Sequence, residues 1–185
     1  INDELLNRGL ATIGSRLAKD VEKGKLSPQD KESLARIRGT TDIKDFPDCD
    51  LVIEAATENI DLKKKIFAEL DKVCPKDTIL ATNTSVLSVI DIAVVTSRPG
   101  KVLGLHFFNP APIMKLVEII KTIATSDDTL KIGTEFVESL GKTAVIAQDI
   151  SGFIVNRLVT PFMLNAIRML ESGLATKEDI DNAVT

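Results

Sequence analysis

Five short apolar runs separated by amphipathic stripes constrain this chain more than any other feature: DLVIEAA (50–56), TILAT (78–82), KVLGLHF (101–107), KLVEII (115–120) and TAVIA (143–147). Each has the length and the branched, apolar composition of a strand. Leu62, Ile66, Phe67, Leu70 and Val73 recur at helical spacing after the first run, and Pro75-Lys76-Asp77 ends that helix before the second. A weaker helix around 87–94 precedes the third run. Ser126 is placed to cap a helix over 127–140 that stops at Gly141, just before the fifth. DLVIEAA, flanked by polar residues, reads as a strand covered on both faces. Strands alternating with helices predict an α/β layer of parallel strands joined by right-handed crossovers.

The two ends read differently. Leu6, Leu10, Ile13 and Leu17 mark an amphipathic helix that Gly24 ends. Ser27-Pro28-Gln29-Asp30 combines an N-cap hydroxyl, a proline at the first helical position and an early acid, and so predicts a short helix to about Ile37. Beyond Gln148–Gly152 the pattern changes, because residues 153–172 are apolar nearly all round, as in a helix buried by other helices. Thr176-Lys177-Glu178-Asp179 resembles a capping box that opens one more helix. The chain therefore divides into an α/β domain over 1–150 and the start of an all-α domain over 151–185.

The chain has 185 residues, 44% of them hydrophobic and 27% charged, a balance that predicts a globular fold. A net charge of -4 with no concentrated Lys/Arg patch disfavours nucleic acid and anionic membrane as partners, and leaves small-molecule chemistry as the better expectation. No apolar run approaches the ~20 residues that a membrane helix requires. Cys49 and Cys74 lack metal-like spacing and read as free thiols in a reducing, cytoplasmic setting.

His106, the only histidine in the chain, falls at or just past the end of a predicted strand, where ligands of doubly wound sheets bind. Glu118 lies twelve residues on, inside KLVEII. A carboxylate buried there needs a partner, and an imidazole that takes up a proton would supply one, since the acid both orients the ring and stabilises its charge. The alternatives are a structural histidine in a core and an exposed glutamate on an edge strand.

Four stretches, DLVIEAATENIDLKKKIFAEL, ILATNTSVLS, GLHFFNPAPIMKLVEII and SGFIVNRL, together resemble the L-3-hydroxyacyl-CoA dehydrogenase family, in its order and spacing across essentially the whole chain. The resemblance implies a Rossmann-like doubly wound sheet followed by a helical domain. It also implies NAD as cofactor and oxidation of the 3-hydroxyl of a short-chain 3-hydroxyacyl-CoA, such as 3-hydroxybutyryl-CoA, in fermentation or β-oxidation. His106 would then be the general base, Glu118 its orienting partner, Ser85 a hydrogen-bonding contact to the substrate oxygen, and Asn156 a second positioning contact. Glu58, Lys63, Ser85 and Asn109 match cofactor-contacting positions, and the full-length protein would be a homodimer. Each has a plainer alternative: Ser85 as a helix cap, Glu58 as a first-turn acid, Lys63 as one of three solvated lysines.

The sequence departs from the family pattern in places. No G-x-G-x-x-G phosphate loop follows a strand, and the resemblance puts that loop and the first two strands before Ile1, with most of the helical domain beyond Thr185. Val86 stands where a second serine is common, and Ser151 where a proline is usual. A truncated binding or oligomerisation module derived from the same fold is the competing expectation, and a dehydrogenase of free hydroxy acids is a third.

Overall fold

The computed structural model describes every residue except Ile1, Pro28, Asp30, Lys31 and Thr185. The chain falls into two compact units, residues 1–47 and 48–185. In the first, helix α1 (Asp3–Glu22) begins where the Asn2 side chain accepts from the Leu5 amide at 3.0 Å. Within the helix expected from residue 27, Gln29 is α-helical and Glu32–Arg36 forms a 3-10 helix. Pro28 and Asp30, half of its expected start signal, lie outside the described residues.

The second unit is built on five strands, β1 (Leu51–Glu54), β2 (Ile79–Thr82), β3 (Val102–Phe107), β4 (Leu116–Lys121) and β5 (Thr143–Gln148), in the order β1-β2-β3-β4-β5. Between them lie α2 (Ile60–Val73), α3 (Val89–Ala93) and α4 (Asp127–Ser139). The pairs β1–β2, β2–β3 and β4–β5 are parallel, whereas β3–β4 is antiparallel, against the all-parallel expectation. The reason is length: residues 108–115 hold no helix, and a parallel return needs a crossover longer than that. The reversal sets His106 directly opposite Glu118 in the register.

Side chains alternate across the sheet. One face gathers Ile79, Ala81, Leu103, Leu105, Val117 and Ile119 with Val137 of α4. Gly104 faces the other way, where an added Cβ would lie 2.7 Å from the Ile120 Cβ and 3.3 Å from Val89 of α3. Helices on both faces make the sheet doubly wound, as expected. At β1 the cover fails: Val52 and Glu54 are buried but Ile53 is 37% exposed, so this edge strand is not covered on both sides.

Helix α5 (Val155–Glu171) starts two residues later than its apolar pattern, because Gly152 (φ 79°) and Phe153 (φ 45°) turn the chain through the left-handed region first. It buries none of its residues, and Leu158, Phe162 and Met163 are all more than half exposed. Helix α6 (Lys177–Val184) is capped as expected, with the Asp179 amide donating to the Thr176 hydroxyl at 3.1 Å. No helix among the described residues is long and apolar enough to cross a membrane.

Candidate active site

The antiparallel register delivers the first candidate pair. His106 Nδ1 lies 2.7 Å from Glu118 Oε2, and both side chains are buried. Phe108 and Phe153 tilt against the imidazole at ring-centroid distances of 4.6 and 5.7 Å, limiting its rotation. Nε2 has no hydrogen-bond partner among the described residues, yet it is not sealed from solvent, since no buried polar side-chain atom lacks a partner. A carboxylate on Nδ1 fixes the tautomer that leaves Nε2 with its lone pair free. That is the state a general base requires.

Glu118 has its other oxygen occupied as well. Oε1 accepts from the backbone amides of Ile154 and Val155, each at 2.9 Å. Three partners satisfy a carboxylate that is wholly withdrawn from water, which offsets the cost of burying it. The exposed-edge alternative for Glu118 does not describe this geometry, whereas a structural histidine paired in a core shares the burial and the hydrogen bond and differs from a base only in the use made of Nε2.

A second network occupies the ends of β1 and β2. Glu58 Oε1 accepts from the Thr84 hydroxyl at 2.5 Å, the Ser85 amide at 2.8 Å and the Val86 amide at 3.3 Å, while Oε2 is 3.7 Å from Lys63 Nζ. Partial burial pushes the Glu58 carboxyl up. The hydrogen bond from Thr84, the two amides and the charge of Lys63 together outweigh that, holding it below the usual carboxylate range. Lys63 is not a solvated residue of the lysine run. It has no exposed surface, and its Nζ lies 2.9 and 3.0 Å from the Glu54 oxygens and 3.3 Å from the Ala56 carbonyl.

Ser85 is held by its backbone: its amide donates to Glu58 and its carbonyl accepts from Asn156 Nδ2 at 3.5 Å. It does not cap α3. Ser88 does that, through the Asp91 amide, and the Leu87 amide goes to the Thr84 hydroxyl. The Ser85 hydroxyl makes no hydrogen bond to the described residues. Asn156, on the first turn of α5, borders a cleft of about 380 Å³ lined also by Val86, Ser151, Arg157 and Thr160. Asn109 stands outside both networks, exposed, ahead of a cis bond to Pro110.

Two residues of the site were not anticipated. Glu54, besides pairing with Lys63, accepts from the Thr82 hydroxyl at 2.7 Å and the Ala56 amide at 2.6 Å. Asn83 ties β1 to β3, its amide donating to the Glu54 carbonyl and its Oδ1 accepting from the Phe107 amide. The signal for Glu54 was an acid inside an apolar run, the same one that marked Glu118.

Known proteins share this arrangement of elements. The description "3-hydroxyacyl-CoA dehydrogenase, NAD binding domain" matches residues 1–150, and that family's C-terminal domain matches 152–185. A 3-hydroxybutyryl-CoA dehydrogenase of Clostridioides difficile is 44% identical over 97% of this chain and 64% of its own length. The crystal structure of (S)-3-hydroxybutyryl-CoA dehydrogenase PaaH1 from Ralstonia eutropha superposes with a TM-score of 0.94 at 42% identity, over 97% of this chain and 64% of that one. FadB2 of M. tuberculosis gives 0.93 at 42% identity, over 99% of this chain and 65% of its own. The chain thus spans about 64% of the length of the relatives it matches.

Proposed function

The chain belongs to the 3-hydroxyacyl-CoA dehydrogenase family, and on that premise we propose that it carries the catalytic pair of an enzyme oxidising the 3-hydroxyl of short-chain (S)-3-hydroxyacyl-CoA to the 3-ketone. The observation that supports this reading above all is the His106–Glu118 pair with Nε2 left open. Nε2 takes the hydroxyl proton as the carbon–oxygen double bond forms, and Glu118 stabilises the imidazolium that results. The Ser85 hydroxyl, which makes no hydrogen bond to the described residues, and the Asn156 amide, which borders the cleft and contacts the Ser85 carbonyl, hold the reacting oxygen. The acceptor for the hydride leaving carbon 3 would be supplied by NAD when bound.

The residues present fit the nicotinamide half of that cofactor. Glu58 keeps a partly exposed carboxylate oxygen as an acceptor for ribose hydroxyls, while Thr84, two amides and buried Lys63 fix its position. Lys63 acts on the cofactor through Glu58, and Asn109 offers an exposed amide to the nicotinamide side. The helical segment from residue 151 belongs to a separate domain. Its exposed apolar face on α5 is covered in a homodimer of the complete protein, and free Cys49 and Cys74 fit a reducing cytoplasm.

The test is an assay of the complete gene product with NAD and (S)-3-hydroxybutyryl-CoA, following reduced nicotinamide by absorbance. Formation of NADH with 3-ketoacyl-CoA supports the proposal, and absence of both at saturating substrate refutes it.

A further inference from the structure

Glu118 joins two parts of the site that the reaction uses separately. Its Oε2 meets the imidazole and its Oε1 meets the first turn of α5, one residue before Asn156. The leading amides of a helix have no partner inside the helix. Here Ile154, the N-cap, supplies no side-chain cap, so the distant carboxylate of Glu118 does the capping, with the helix dipole favouring its charge. Ahead of the turn Gly152 and Phe153 are buried, but the helix itself adds no such anchor. The helix buries no residue, and Asn156 reaches Ser85 only at 3.5 Å. The approach is also a forced one, because Phe153, a bulky residue, sits at φ 45° to bring the next two amides onto the carboxylate and its own ring onto His106.

We propose that Glu118, beyond orienting His106, fastens the start of α5, so that the carboxylate that holds the base also sets the placement of Asn156. The proposal rests on the dehydrogenase reading for its kinetic consequences but not for the fastening itself.

Glutamine and alanine separate the two roles. In Glu118→Gln the side-chain carbonyl still accepts both amides, while the new NH₂ donates to Nδ1, moves the ring proton to Nε2 and removes the base. In Glu118→Ala both roles are lost. Residue-resolved hydrogen exchange on the complete gene product, without substrate or cofactor, reads the fastening directly. Ile154 and Val155 exchange slowly in wild type, in Glu118→Gln and in His106→Gln, and about ten-fold faster or more in Glu118→Ala. Leu105 and Ile119 stay protected throughout, which establishes that the variant is folded. In turnover, Glu118→Gln lowers kcat with the KM for acyl-CoA near wild type, whereas Glu118→Ala also raises that KM. Wild-type exchange at Ile154 and Val155 in a folded Glu118→Ala overturns the proposal, and so does equal acceleration in Glu118→Gln. Loss of the slow exchange in alanine alone, in a protein with no dehydrogenase activity, retains the fastening and rejects the proposed reaction.

Discussion

Lys63 is held with no solvent contact between the two oxygens of Glu54, at 2.9 and 3.0 Å, and Glu54 in turn takes the Thr82 hydroxyl. A buried pair of this kind is costly to break from one side, because the surviving charge has neither water nor partner. Lys63→Met lowers unfolding free energy by about 3–5 kcal/mol. Adding Glu54→Gln to it costs less than the two single changes summed, by about 1 kcal/mol or more. Urea unfolding of the four proteins in the cycle measures both quantities, and strict additivity would show the two residues to be uncoupled.

Glu58 predicts a pH dependence. Although its partial burial acts in the opposite sense, the Thr84 hydroxyl, the Ser85 and Val86 amides and Lys63 depress its folded-state pKa. A depressed carboxyl contributes stability that is present above the unfolded value of about 4.3 and is lost as pH falls through the folded value. Wild type therefore exceeds Glu58→Gln in stability at neutral pH, and the gap closes as acid is added below about pH 4. Thermal melts of both proteins along a pH series check this; a gap that stays constant into acid would contradict it.

Gly104 predicts a packing cost. The Cβ of Gly104→Ala would sit 2.7 Å from the Cβ and Cγ1 of Ile120 on the facing strand, and that Cβ is fixed by the backbone whatever rotamer the isoleucine takes. The variant loses about 1–3 kcal/mol, read from the denaturant midpoint at unchanged slope. A midpoint equal to wild type would show that the strands separate without penalty.

Much of this was legible beforehand, for stated reasons. Short continuous apolar runs and capping residues such as Ser126 locate the five strands and the helices of residues 60–171 to within a residue or two, because burial and orphan amides constrain local sequence strongly. The pairing of His106 with Glu118 was legible because a carboxylate inside KLVEII demanded a partner and the chain has one histidine. Antiparallel β3–β4 pairing was not, since it depends on the length of a connection rather than on any strand's own pattern. For Lys63 the plainer alternative, a solvated member of the lysine run, fails because the side chain is fully buried. Its spacing of four from Phe67 and seven from Leu70 put it on the buried face all along. Asn83 and the Ile154 and Val155 amides act through contacts distant in sequence, and backbone amides carry no residue signature at all.

In the proposed reaction His106 Nε2 accepts the substrate's proton, with Glu118 holding the ring. The most direct measurement is the single-turnover rate of NAD reduction by wild type and His106→Gln in the complete protein, with NAD affinity measured alongside. A general base contributes about 10²–10⁴-fold, so the variant slows by at least 10²-fold while binding NAD as tightly as wild type. A single-turnover rate within a few-fold of wild type would remove His106 from the proton transfer.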